Sequence, residues 1–331
     1  MKDLIKKLVE TTGPSGYETQ VRALVQAEIE GYADEITTDA LGNLIARKKP
    51  TKKGSGISKK IMISAHMDEI GLVVTHVDKN GFARFTNIGG VRPLNCVGGR
   101  VRFLNGSQGV IGIESGVTTP TLNDLYIDLG ATSPKDSPVK IGDIAAFERP
   151  FIDLGDRLVS KAMDDRIGVA VGIEALRQLK ATPHEVSFVF STQEEVGLRG
   201  ATTSAFGVNP DIGIALDVTL SGDTPKGVKM EVGLGKGAAI KVRDGGMLSD
   251  PRVVDWMVQT AEKHNIPSQL EVLEGGTTDA RAIQTARAGV PAGCISIPCR
   301  YVHSPSEMVD YNDVQNCVKL LVAMLSQTVP F

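Results

Sequence analysis

Short apolar runs that alternate with stretches of helical periodicity leave this chain few folds to choose from. Strand-like runs fall at Ile61-Met62-Ile63-Ser64-Ala65 and at 186–191, 212–217, 238–242, 269–273 and 292–297. Helical spacing marks 165–180, 250–264, 279–288 and 311–326. A crossover helix returns each strand beside the previous one, so this alternation predicts an α/β sandwich with a mainly parallel sheet. Ahead of it, Leu4, Ile5, Leu8 and Val9, then Val21, Leu24, Val25 and Ile29, predict two opening helices separated by Gly13-Pro14-Ser15-Gly16. A hairpin-like stretch at 41–45 follows.

The alternation stops between about Gly71 and Val159. Short β-like runs there are punctuated by Lys79-Asn80-Gly81, Gly89-Gly90, Gly98-Gly99 and Asn105-Gly106. The expectation is a discontinuous α/β domain of residues 1–69 and 160–331, interrupted by a small β-barrel-like domain at 70–159.

Composition removes several classes of function. The chain has 331 residues, with 36 Lys and Arg against 39 Asp and Glu, so no basic excess exists for nucleic acid. The lysines of one loop, Lys48, Lys49, Lys52, Lys53, Lys59 and Lys60, are interleaved with Gly, Ser and Pro and read as a solvated face. Aromatic residues make up only 5%, which leaves few stacking platforms for sugars or bases. No apolar run approaches the ~20 residues that cross a bilayer, and the charged N-terminus lacks the core of an export signal. Cys96, Cys294, Cys299 and Cys317 form no C-x-x-C pair and read as reduced thiols of a cytoplasmic protein.

Open α/β sheets bind ligands beyond the carboxyl ends of their strands, so the residues that follow each strand are the informative ones. They are His66-Met67-Asp68, Thr192-Gln193-Glu194-Glu195, Asp217 and Arg300-Tyr301-Val302-His303, with Met163-Asp164-Asp165-Arg166 ahead of the long helix. Singly, each has an ordinary explanation: N-caps for Asp164 and Asp165, a charged turn for Glu194 and Glu195, hydrogen-bonded rings for His66 and His303. Brought to one sheet edge, the same groups would repel and desolvate one another without a cation between them. Two histidines and three carboxylates divide into two sites with one shared carboxylate, and a hydroxide completes the charge balance of two divalent ions. One of Glu194 and Glu195 then remains as a general base. Asp68 is placed to accept the other ring N–H of His66.

These segments, together with Gly275-Gly276-Thr277-Thr278-Asp279-Ala280, resemble the dinuclear metallo-aminopeptidases that assemble as tetrahedra, variously named glutamyl aminopeptidase, deblocking aminopeptidase or endoglucanase M. The resemblance implies a three-layer, zinc-peptidase-like α/β sandwich. It implies that Asp164 bridges two metal ions, that His66 and Asp217 complete one site, and that Glu195 and His303 complete the other. Glu194 is then the general base. The ions would be zinc or cobalt, with manganese also compatible, and the substrates peptides with a free N-terminus. The inserted domain would mediate dimer contacts within a hollow homo-oligomer, a dodecamer.

Three competing readings make different predictions. A metallo-deacylase would use the same centre on N-acyl substrates. A glycosidase would survive chelation, but its carboxylates must flank the scissile bond ~5 to ~9.5 Å apart, which neighbours on one turn do poorly. A non-catalytic assembly protein would need metals only to fold.

Overall fold

A computed structural model of the chain describes residues 1–52 and 58–331. Two helices, α1 (Lys2–Glu10) and α2 (Thr19–Ile29), precede β1 (Glu35–Thr38), β2 (Leu44–Lys48) and β3 (Lys60–His66). Next come β4 (Gly71–Val77), β5 (Ala83–Ile88), the single turn α3 (Pro93–Cys96), β6 (Arg100–Phe103), β7 (Gln108–Ile113), β8 (Leu125–Asp128) and β9 (Ile144–Glu148). After β10 (Ile152–Asp153) and β11 (Arg157–Ser160), helices and strands alternate through α4 (Met163–Gln178), β12 (Glu185–Ser191), α5 (Arg199–Val208) and β13 (Ile212–Leu220). The chain ends with β14 (Ala238–Arg243), α6 (Pro251–Lys263), β15 (Ser268–Val272), α7 (Asp279–Gln284), β16 (Ala292–Arg300), β17 (Glu307–Asp310) and α8 (Tyr311–Leu325).

An 11-stranded mixed sheet runs in the order β1-β2-β12-β3-β13-β16-β17-β11-β10, with β14 joined to β16 and β15 to β14. Its centre, β12-β3-β13-β16, is parallel, and these strands are buried along almost their whole length because helices cover both faces. Antiparallel strands extend both flanks. Helices α1, α2, α4, α6 and α8 bury their apolar faces in the main core on one side. On the other, α5 and α7 pack over β3, β12 and β13, around Met62, Val189, Ala205 and Ile283. Helix α5 escapes the periodicity argument, because Gly200, Thr202, Thr203, Ser204 and Gly207 are weak helix formers. Packing against α7 and β12 holds it.

Residues Gly71–Glu148 close a six-stranded antiparallel barrel in the order β4-β5-β8-β7-β6-β9. It has its own core, including Leu72, Phe85, Val101, Phe103, Ile127 and Phe147. The strands at 152–153 and 157–160 that follow it belong to the large sheet. The two ends of the barrel lie side by side, because β4 and β9 pair with Gly71 opposite Ala146, and the first of them follows the carboxyl end of β3 by four residues.

Arg166 is fully buried and ties the N-terminal segment to that same place. Its guanidinium donates to the carbonyls of Met67 (2.6 Å), Leu8 (2.7 Å), Thr11 (2.8 Å) and Gly13 (3.2 Å) and lies 3.4 Å from Glu69. All four cysteines are buried and free. Of the loop lysines, Lys49, Lys52 and Lys60 are exposed and Lys48 and Lys59 half-buried, while Lys53 lies outside the described residues. No helix among the described residues is long and apolar enough to cross a membrane.

Candidate active site

The carboxyl ends of β3, β12, β13 and β16 deliver the singled-out side chains to one crevice. His66 ends β3, Glu194 and Glu195 lie in the turn after β12, Asp217 sits within β13, and His303 follows β16. Asp164 stands in the first turn of α4, joined to Asp165 by a cis peptide bond. His66 Nε2 is 3.0 Å from Asp164 Oδ1 and 4.0 Å from both Asp217 Oδ1 and Glu194 Oε2. His303 Nε2 is 3.4 Å from Asp164 Oδ2 and 3.3 Å from Glu195 Oε2. One ligand-type atom from each of His66, Asp164 and Asp217 falls within 4.8 Å of the others, and so does one from each of Asp164, Glu195 and His303. Asp164 belongs to both groups.

The electrostatics follow from crowding these groups away from water. Burial pushes the Glu194 carboxyl well up and outweighs the pull of His66, with Asp217 and Glu195 adding to the rise. Burial and the Asp164 charge do the same to Asp217. Burial opposes protonation of His303, yet Asp164 and Glu195 push its pKa up to about 12. His66 is likewise held high, against burial, by Asp164 and Asp68. Burial would raise Asp164, but His303 and His66 hold it below the usual carboxylate range. Glu195 Oε1 is buried without a hydrogen-bond partner. A mixed imidazole and carboxylate donor set with an unsatisfied buried oxygen fits divalent cations, which relieve the mutual repulsion.

Asp68 lies beside the His66 ring and has further partners. His66 Nδ1 is nearest the Asp68 carbonyl oxygen, at 3.1 Å, with the carboxylate at 3.5 Å. The carboxylate also accepts the backbone N–H of Glu194 (3.0 Å) and of Glu195 (3.2 Å) and the hydroxyl of Ser15 (2.6 Å). It pins the turn that carries both glutamates.

Glu307 went unread in the sequence, and Asp165, Asp279 and Gly90 were read there without the partners the structure gives them. Glu307, buried, accepts the backbone N–H of His303 (2.8 Å) and of Asp164 (3.0 Å), which holds His303 in its left-handed conformation (φ 61°). Asp165 accepts the backbone N–H of His66 at 3.2 Å. Asp279, a helix N-terminal residue, receives the hydroxyls of Ser64 (2.6 Å) and Ser191 (2.5 Å) beneath the crevice. From the barrel, the Gly90 carbonyl lies 3.0 Å from His303 Nδ1. The Gly89-Gly90 pair was legible only as a turn, since its partner is more than two hundred residues away. The crevice opens into a cavity of about 1070 Å³ with apolar walls that include Val218, Leu220, Met230 and Leu273. That volume accommodates an amino-acid side chain beside the cluster and part of a peptide beyond it.

Such a site on such a sheet is that of a hydrolase, and comparison with known proteins names the kind. The family model for M42 glutamyl aminopeptidases matches residues 42–320, and the chain belongs to that family. A protein of Acetivibrio thermocellus that carries an aminopeptidase name is 48% identical over 97% of each chain. Aminopeptidase APDkam598 of Desulfurococcus kamchatkensis superposes with a TM-score of 0.93 at 43% identity, over 99% of this chain and 95% of that one. The TET1 peptidase of Pyrococcus horikoshii, which can assemble into a tetrahedron or a large octahedral shell, gives a TM-score of 0.88 at 33% identity over 99% of each.

Proposed function

We propose that this protein is a metal-dependent aminopeptidase that removes residues from the free N-termini of peptides. Two divalent cations would be held by His66, Asp164 and Asp217 on one side and by Asp164, Glu195 and His303 on the other. The observation that carries this reading is the pair of overlapping donor groups sharing Asp164. Bound there, the cations supply Lewis-acid chemistry, polarising the scissile carbonyl and acidifying water. Mixed oxygen and nitrogen ligation suits zinc, cobalt or manganese.

Glu194 is the general base. It faces the cluster from the turn after β12, belongs to neither donor group, and sits where burial and neighbouring carboxylates give its oxygens a high proton affinity. It takes the proton of the attacking water and returns it to the departing amine. The carboxylates around it favour a substrate that brings a positive α-ammonium, which makes the cleavage exopeptidic. Asp68 and Glu307 position rather than react: one holds the Glu194-Glu195 turn, the other the backbones of Asp164 and His303. By likeness to the TET1 peptidase, the chain assembles into a hollow homo-oligomer, and the inserted barrel, Gly71–Glu148, supplies its dimer contacts.

The test is Glu194→Gln. Removing a general base costs ~10²–10⁴ in kcat, and the variant should retain its metal content. Full turnover by aminoacyl p-nitroanilide assay would remove Glu194 from the mechanism. Equal or faster cleavage of N-acetylated peptides by the parent protein would replace the aminopeptidase reading with a deacylase.

A further inference from the structure

The two imidazoles of the cluster are oriented by different parts of the molecule. His66 turns Nδ1 to the carbonyl of Asp68, two residues along its own chain, at 3.1 Å. His303 turns Nδ1 to the carbonyl of Gly90, in the barrel segment between β5 and α3, at 3.0 Å. A carbonyl only accepts, so Nδ1 carries a proton in each ring, and Nε2 is the atom turned to the cluster, where in His303 it faces Asp164 and Glu195 and a cation between them would take its lone pair. The barrel makes two further approaches to the same half of the cluster. Asn95 Nδ2 donates to the His303 carbonyl at 3.2 Å. Gly89, whose own carbonyl is held by Asn87 at 2.6 Å, lies so close that a Cβ there would meet Glu195 Oε2 at 2.9 Å. At Gly90 a Cβ would come within 2.3 Å of His303 Nδ1, so only glycine lets the turn reach the ring. His66 and Asp217, by contrast, have their hydrogen bonds within the α/β unit.

We propose that the Gly89-Gly90 turn and Asn95 of the barrel are positioning residues for one half of the centre, Asp164–Glu195–His303, and leave the His66–Asp164–Asp217 half to the α/β unit alone. This rests on the metal-centre reading above. The barrel is then part of the second cation site, and the two sites answer to different structural units. Displacing the barrel turn loosens one cation and spares the other.

Calorimetric titration of Co²⁺ into the chelated protein, followed in parallel by the visible spectrum of bound Co²⁺, tests this without turnover. The parent protein should take up two ions. Gly90→Ala, which crowds the ring without a positive-φ requirement, should weaken one site by ~10–100-fold and leave the other within about threefold. Asn95→Ala, which inserts no atoms, should weaken the same site by less. Assignment comes from two backgrounds: with Asp217→Ala the remaining ion should be loosened by Gly90→Ala, and with His303→Ala it should not. Equal weakening of both sites, or none with either barrel variant, overturns the proposal. A parent protein that binds no ion overturns instead the metal-centre reading on which it stands.

Discussion

The reading of Asp68 as the anchor of the Glu194-Glu195 turn is sharpest in Asp68→Asn, which preserves shape and removes one acceptor. In the parent protein Oδ1 accepts the Glu194 N–H, and Oδ2 accepts the Glu195 N–H and the Ser15 hydroxyl. A carboxamide has one oxygen, so in either orientation its NH₂ group confronts one of those two backbone donors. An N–H left unpaired at a buried site costs ~1–3 kcal/mol, and Asp68 itself is fully buried. If the turn relaxes by ~1 Å to relieve the clash, both glutamates move, and displacement on that scale costs ~10²-fold in rate. The expected result is a loss of ~1–3 kcal/mol in urea unfolding and a fall of ~10² in kcat for an aminoacyl p-nitroanilide. Ser15→Ala is the control, since it removes one bond to Oδ2 but leaves both N–H groups paired; its kcat should stay within a few-fold of the parent. An Asp68→Asn protein with unchanged urea midpoint and full turnover would refute the argument, and so would an equal rate loss in Ser15→Ala.

Exhaustive chelation should abolish hydrolysis of the same substrate, and readdition of Zn²⁺, Co²⁺ or Mn²⁺ should restore it to different extents; activity that survives chelation contradicts the metal reading. Arg166→Met breaks a buried ion pair and strands four carbonyls, so urea unfolding should show a loss of ~3–5 kcal/mol, and a change under 1 kcal/mol would show the contacts to be dispensable. His184 is held neutral, its pKa lowered by burial, with Nδ1 facing the Lys59 N–H and Nε2 the Gln327 carbonyl. The unfolded chain binds this proton more readily, so the stability it contributes is present above the unfolded pKa of ~6.5 and is lost as pH falls toward the folded value. His184→Gln should flatten urea midpoints measured from pH 7 to pH 5, and an unaltered slope would assign the dependence elsewhere.

Much of the site was legible because its chemistry sits at strand ends. The runs leading to His66, Ser191 and Asp217 are apolar apart from the single serines Ser64 and Ser187, so the ionisable residues that close or follow each one announce the crevice at the edge of the sheet. The parallel centre could be read for the same reason, while the antiparallel flanks could not: β1, β10, β11 and β17 are short and carry no extended apolar run. Glu307 was invisible because its two partners are backbone N–H groups, one of them on α4, and nothing local distinguishes it from a turn glutamate. Asp68 was singled out for its place beside the His66 ring, whereas its two bonds to the Glu194-Glu195 turn were not legible, since period-two spacing places a side chain but does not say what else reaches it. Gly90 acts across a domain boundary, where local pattern holds no information.

The place of β12 in the sheet has a consequence for how the polypeptide emerges from the ribosome. Strand β12 lies between β2 and β3 and pairs with both, although it is made long after them. Until residues 185–191 have left the exit tunnel, the two earlier strands have no seat beside each other, and the whole barrel is synthesised during that wait. The nascent chain thus carries unpaired apolar edges through more than a third of its translation, the interval in which a holding chaperone would be most useful to it.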